Sequence, residues 1–413
     1  MTITLHPRGT LRSRFEGTEQ DAVFRRLGLG ARACDLGDEG LYLAEEIVAA
    51  DKWFGGSDPE ALGILVLALM IVQRQGSSRL PLDPSPRGQL ATLVKDILHI
   101  AGYDANGTQI AKRIHALVAR PGFNSVIGVG DARLPLIVDD NCLYTERARY
   151  LEGRVALRLA ERIAPLGTVL VRPVAAVREA EKSNVIRFPS AAERQALEDN
   201  ARFLAAATAR RDEVEVDAAP PITITAENEP KLTEEQRRAV ELAIGGRISV
   251  VTGGPGTGKT LVAAAIVRGF QRMGIREIAL AAPTGKAANR LTEVIAKELA
   301  AHPQAHELAE APVAQTLHRL LGYCVHGFAH HARSPLPVGA LIVDEASMID
   351  LALIDALLDA LPPTAPLVLI GDAHQLPAVD AGRILADLAD PDGAAADRVA
   401  TLHHSHRMDA ADP

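Results

Sequence analysis

Aromatic residues are scarce in this chain of 413 residues: Phe, Trp and Tyr together make up 3%. That is too few for extensive base stacking along single-stranded nucleic acid. Cysteine is scarcer still. Cys34, Cys142 and Cys324 lie far apart and form no CxxC pair, which excludes a disulfide framework and a four-cysteine zinc site and suits a reducing cytoplasm. A basic excess is also missing. Lys and Arg number 44 against 52 Asp and Glu, a net charge of −8, so any nucleic-acid contact must come from a local patch rather than the overall field. The longest apolar run, Ala61 to Val72, falls far short of the ~20 residues that cross a bilayer and reads as a buried helix. The first residues, MTITLHPRGTLRSRFEGTEQ, lack the apolar centre of a signal peptide.

What is present is an ordinary globular composition, 47% hydrophobic, with chain enough for two or three domains at ~150 residues each. No internal repeat is visible. To about residue 165 the pattern is mainly helical. Asp58 and Pro59 open a helix through the Ala61–Val72 run, and Gly76-Ser77 stops it. A second runs from about Gly88 to Ile100, with Leu90, Leu93, Val94, Ile97 and Leu98 at helical spacing. Leu136–Val138 and Cys142–Tyr144 read as a strand pair about a turn at Asp139-Asp140-Asn141, and another helix follows from about Arg147 to Ile163. Residues 166–231 read as a connector: Ser190 to Glu193 is a capping box for a helix to about Arg210, followed by a charged, Pro-rich linker.

From Leu232 the texture changes. Ile248–Thr252, Glu277–Ala281, Ala340–Asp344 and Pro366–Ile370 are short apolar runs separated by helical patterns. That alternation argues for an α/β domain with a mostly parallel sheet.

Gly253-Gly254-Pro255-Gly256-Thr257-Gly258-Lys259-Thr260 fits G-x-x-x-x-G-K-[ST] between a strand and a helix. The glycines let backbone N–H groups wrap a phosphate where side chains would clash. The helix N-terminus adds its positive end. Lys259 suits the β- and γ-phosphates of ATP, and the Thr260 hydroxyl suits Mg²⁺. Leu341–Glu345 ends an apolar strand in two acids at the sheet's C-terminal edge, beside the phosphate loop. Asp344 is the candidate Mg²⁺ group and Glu345 the candidate general base for the attacking water. Gln375, in GDAHQLP, is a neutral amide able to sense the γ-phosphate without competing for metal. Thr233 to Gln236 reads first as a capping box, and Gln236 could instead read an adenine edge. The His302/His306, His330-His331 and His403-His404/His406 groups have neither cysteine partners nor a ligand pattern to make a zinc site.

LTEEQRRAV (232–240), VTGGPGTGKT (251–260), AAPTGKAANRL (281–291), TLHRLLG (316–322), LIVDEASMID (341–350) and GDAHQLPAV (371–379) stand in one order over about 150 residues. Together they resemble superfamily 1 helicases, and VTGGPGTGKT, APTGKAA and VDEASM favour the RecD branch, the alpha subunit of exodeoxyribonuclease V. The resemblance implies one RecA-like P-loop ATPase domain at 232–400, behind a helical partner-docking domain at 1–165 and the connector at 166–231. It implies that Gln236 contacts adenine and that Gln375 couples the γ-phosphate to movement. Pro283, Thr284, Gly285 and Lys286 would meet single-stranded DNA, whose phosphates suit backbone N–H groups and a lysine at a helix start. His318 is expected on a surface or DNA-facing helix. Arg407 resembles an arginine that reaches the γ-phosphate. The implied activity is ATP-driven 5′→3′ movement on DNA, beside RecB-like and RecC-like subunits acting on single-stranded DNA ends. Residues 401–413 resemble the start of a second motor domain. A chain that stops there is expected to be a truncated form that binds ATP and hydrolyses it poorly, since an arginine finger is worth ~10³–10⁵ in rate. Two alternatives stay open: a nucleotide-dependent docking module without motor activity, and a free-standing RecD-like helicase.

Overall fold

A computed structural model describes residues 27–163, 232–301, 311–375 and 383–403, apart from 35, 54–57, 84, 86, 101–106, 120–125, 131, 325–326 and 394. The expected Ser190 capping box and its helix, the Pro-rich linker, Arg407, and His302, His306, His404 and His406 all lie outside the described residues.

In the front half, helices α1 (Asp38–Trp53), α2 (Pro59–Arg74), α3 (Gln89–Ile100) and α4 (Gly107–Val118) gather around one apolar core. Every residue of α2 from Ala61 to Val72 is buried, so this helix is apolar on all sides because it is surrounded on all sides. Asp58 starts it, its carboxylate accepting from Ala61 N at 3.1 Å, with Pro59 in the first turn. Gly76, at φ +90°, ends it. Strands β1 (Arg79–Pro81), β2 (Ile127–Val129), β3 (Leu136–Asp139) and β4 (Cys142–Thr145) form a small sheet in the order β1-β4-β3-β2. The expected strand pair is its β3–β4 hairpin. Asp140 and Asn141 both have positive φ at its turn, as a two-residue hairpin of primed type requires.

Helix α5 (Glu146–Ile163) leaves this sheet and packs on the P-loop half. Its Val155 and Leu159 belong to the second apolar core. There α6 (Glu234–Gly245), β5 (Ile248–Gly253), α7 (Lys259–Arg272), β6 (Ile278–Ala282), α8 (Gly285–Ala300), β7 (Ala314–Thr316) and the short α9 (Leu317–Leu320) follow in order. After them come the hairpin strands β8 (Tyr323–Cys324) and β9 (Gly327–Phe328), then β10 (Ala340–Val343), α10 (Leu351–Ala360), β11 (Leu367–Gly371), α11 (Ile384–Leu388) and β12 (Val399–Leu402). Six strands form one sheet, β12-β5-β11-β10-β6-β7, and every pair in it is parallel. The described residues group as one compact unit.

The joint between the halves is charged. Arg154 and Arg158 of α5 bond Asp355 of α10 at 3.2 and 2.5 Å and also pair with Asp359. Arg162, buried, donates to the carbonyls of Leu361, Pro362 and Ala365 at 2.9–3.0 Å. Burial, with Arg247 nearby, pushes its guanidinium pKa down to about 10.

Candidate nucleotide site

Strand β5 is wholly buried and runs straight into the glycine-rich turn. Gly256 and Gly258 both sit at φ +83°, a region that costs other residues dearly, so these two positions need glycine to make the bend. Gly253 is required for a different reason: a Cβ there would meet Leu402 O and Thr257 Oγ1 at 2.8 Å. Gly254 departs from the expectation that side chains clash throughout the loop, since a Cβ on it would have nothing within 4 Å. Thr257 closes the turn by donating its hydroxyl to Gly254 O at 2.9 Å.

Helix α7 begins at Lys259, two residues earlier than the apolar pattern suggested. Lys259 Nζ donates to Gly253 O at 2.5 Å and Gly254 O at 2.8 Å. Burial lowers its pKa, while Asp372 and Asp344 act to raise it and Arg290 to lower it further. The ammonium is therefore anchored on the loop itself, at the mouth of the helix that carries Thr260.

Gln236 joins the same loop. Thr233 Oγ1 accepts from Gln236 N at 3.3 Å and Gln236 Oε1 accepts from Thr233 N at 3.0 Å, the complete capping box. Its Nε2 donates to Thr257 O at 3.1 Å. The cap is present, and the same buried amide supports the P-loop turn from behind.

Asp344 and Glu345 follow β10. Sequence reasoning placed them at the sheet's C-terminal edge beside the phosphate loop. They lie at that edge, with β11 between β5 and β10, which sets the strand ends roughly 10 Å apart. That gap is wide enough for a phosphate and a hydrated ion. Asp344 N donates to Ala281 O and its carboxylate accepts from Glu345 N, each at 2.9 Å. Burial raises the Asp344 pKa, and Glu345 raises it too, while the Glu345 N–H, Lys259 and Arg290 oppose the shift. Glu345 sits at φ +54°, an unfavourable backbone for a residue with a long side chain.

The turn after β11 completes the edge. Ala373 N donates to Thr252 Oγ1 at 3.0 Å, tying this turn to the P-loop strand. Gln375 Oε1 accepts from Ser347 Oγ at 3.3 Å, tying it to the segment after Glu345. Gly371 permits that approach, because a Cβ there would lie 3.1 Å from Ser347 N and 3.2 Å from Ala346 N. Asp372, buried, accepts from His374 N at 3.0 Å. Sequence reasoning missed Thr252, Ser347, Asp372 and Arg290. Only Arg290 carried a readable signal, four residues beyond Lys286 on one helix.

At the neighbouring strand ends, Pro283 is half-buried and Gly285 and Lys286 are exposed. The Thr284 hydroxyl caps α8 by accepting from Ala287 N at 3.2 Å. His318 is exposed and packs edge-on against Tyr323, with ring centres 5.5 Å apart.

Comparison with known proteins matches residues 236–381 to the AAA domain family. The ATP-dependent RecD2 DNA helicase of Deinococcus radiodurans is 45% identical over 158 residues, 38% of this chain and 20% of that protein. The RecBCD enzyme subunit RecD of Mycobacterium tuberculosis is 44% identical over 187 residues, 42% of this chain and 32% of that one. The chain is RecD-like in this region. The likeness to RecD falls on the P-loop half, where all six motif segments lie, and spans a fifth to a third of the relatives' length. The Pif1 helicase of Candida albicans aligns with 43% of this chain and 41% of its own at 21% identity and a TM-score of 0.28, too loose a superposition to argue from. Among the described residues no helix is long and apolar enough to cross a membrane.

Proposed function

We propose that this chain binds ATP with Mg²⁺ at the Gly253–Thr260 loop and serves as the nucleotide-binding part of a RecD-like, 5′→3′ DNA helicase subunit. The observation that carries the reading is one shared edge. The turn made by Gly256 and Gly258, both at φ +83°, Lys259 at the start of α7, and Asp344 with Glu345 all lie at the C-terminal ends of parallel strands, where α/β sheets bind ligands.

Backbone N–H groups of Gly254 and of Gly256 to Thr260 would cradle the phosphates, and Lys259 would neutralise them. The hard oxygens of the Thr260 hydroxyl and the Asp344 carboxylate suit Mg²⁺. Bound Mg²⁺ would supply charge neutralisation on the phosphates. Glu345 is assigned to polarise the attacking water and Gln375 to sense the γ-phosphate through its link to Ser347. Gln236 is assigned to adenine while holding Thr257. Arg407, outside the described residues, is assigned to the γ-phosphate. The Pro283–Lys286 loop is assigned to single-stranded DNA.

By similarity to the RecBCD subunits, the partners proposed are RecB-like and RecC-like subunits in double-strand-break repair, in the cytoplasm. The 45% identity to RecD2 supports a second reading, a free-standing helicase. Co-purification with RecB- and RecC-like proteins separates the two. Titration with a fluorescent ATP analogue tests the common core: binding strengthened by Mg²⁺, with that dependence reduced in Asp344→Asn, is expected. Binding indifferent to Mg²⁺ would remove the metal assignment.

A further inference from the structure

After Glu345 the chain makes a tight 3₁₀ turn, Ala346–Met348, before α10 begins. Met348 N donates to Glu345 O at 3.1 Å and Ile349 N to Ala346 O at 3.2 Å, which closes the turn. Ser347 stands at its centre, half-buried. Strand β11 ends against it, since a Cβ on Gly371 would crowd both Ala346 N and Ser347 N. The turn after β11 is braced in its own right. Gln375 N donates to Asp372 O at 3.2 Å, and Ala373 N holds the turn to Thr252 of β5. Ser347 and Gln375 then face one shallow cleft, together with Asp372, Arg383 and Leu385.

Across that cleft the Ser347 hydroxyl donates to Gln375 Oε1 at 3.3 Å. The direction of this bond carries the argument. A carboxamide has one accepting end and one donating end. Here the serine occupies the accepting end, while Nε2 makes no hydrogen bond among the described residues. The oxygens of a γ-phosphate only accept. They repel an amide presented oxygen-first and take a charge-assisted bond from one presented by its nitrogen. Gln375 is exposed. Without an anchor its amide would turn end for end, and binding would carry the entropy of ordering it.

We propose that Ser347 is a positioning residue of this site. By donating to Gln375 Oε1 it fixes the amide with Nε2 left for the γ-phosphate, and so it adds to the preference for ATP over ADP. The inference rests on the nucleotide reading above. Ser347 is assigned no phosphate contact and acts through Gln375 alone.

The test uses the full chain as purified, with fluorescent ATP and ADP analogues as probes. Wild type is compared with Ser347→Ala, Ser347→Thr, Gln375→Ala, the Ser347→Ala/Gln375→Ala double variant and Lys259→Ala, with thermal melts to show that each is folded. Ser347→Ala is expected to weaken ATP binding roughly fivefold while changing ADP binding less than about twofold. Ser347→Thr keeps the hydroxyl and should return the ATP-to-ADP preference of wild type. Once Gln375 is alanine, Ser347→Ala should add no further loss. An unchanged preference in Ser347→Ala overturns the proposal, as does an equal loss for both nucleotides. Failure of Ser347→Thr to recover the preference overturns it, and so does a Ser347→Ala loss that persists in full beside Gln375→Ala. A wild-type preference in Gln375→Ala overturns it too, because no sensor is then left to position. If wild type binds neither nucleotide, the phosphate-site reading itself falls. If wild type binds, Lys259→Ala does not, and Ser347→Ala matches wild type, only the Ser347 assignment falls.

Discussion

The Gln236 side chain donates to Thr257 O at 3.1 Å while accepting from Thr233 N at 3.0 Å. One buried amide thus couples the start of α6 to the bend of the P-loop. Gln236→Glu keeps the acceptor that completes the cap and removes the donor that holds Thr257. Acting through the loop, this change should weaken fluorescent ATP and GTP analogues alike. It should also lower stability by about 1–3 kcal/mol in urea unfolding, because Thr257 O then faces a carboxylate. A loss confined to ATP would instead assign Gln236 to the base alone.

The α5–α10 joint makes a stability prediction. Asp355 is buried and bonded by both Arg154 and Arg158. Burial raises its pKa against the pull of those arginines, so its charge depends on them. Arg158→Ala should cost about 3–5 kcal/mol, since it strips a buried carboxylate of its nearer partner. Arg158→Met with Asp355→Leu should cost much less than the single change. Urea unfolding of wild type, Arg158→Met, Asp355→Leu and the double variant checks it; additive losses would show that the pair is not coupled.

Asp58 joins a helix cap to an ion pair. Arg113 pairs with it and bonds Glu60 at 2.9 Å. Burial alone would raise the Asp58 pKa; the Arg113 and Ala61 hydrogen bonds outweigh it and hold the folded value below the usual 3.8. A carboxyl depressed on folding contributes stability above its unfolded pKa and loses it as pH falls through the folded value. Asp58→Asn retains the cap oxygen and removes the charge. Its deficit should be ~1 kcal/mol near neutral pH and shrink as pH drops below the 3.8 of a free carboxyl. A deficit constant across that range would place the effect in the cap alone.

Glu345 holds a left-handed backbone at φ +54°. Glu345→Gly should therefore be neutral to about 1 kcal/mol more stable in urea unfolding, although it deletes the proposed base. Marked destabilisation would mean that the side chain, rather than the neighbouring turn, maintains this conformation.

The P-loop half was legible because its chemistry is local. Each central strand is a compact apolar run, and the loop needs glycine where φ is positive, as at Gly256 and Gly258. The edge strands Ala314–Thr316 and Val399–Leu402 escaped notice because three or four residues of mixed polarity carry no period of their own. Their pairing is imposed by β6 and β5. Helix α4 was within reach, with Ile110, Ile114 and Leu117 buried at helical spacing. The interposed β11, the Gln236–Thr257 bond and the Ser347–Gln375 bond were not, because each joins segments far apart in the chain, and one sequence does not display such pairings.

Everything assigned to the nucleotide depends on the Lys259 ammonium seated on the loop. Fluorescent ATP titration of wild type and Lys259→Ala, with melts to show that both are folded, tests this most directly. A loss of at least about tenfold in the variant is expected from removing a charge-assisted phosphate contact. Equal affinity in the two folded proteins would contradict the phosphate site and with it the helicase reading.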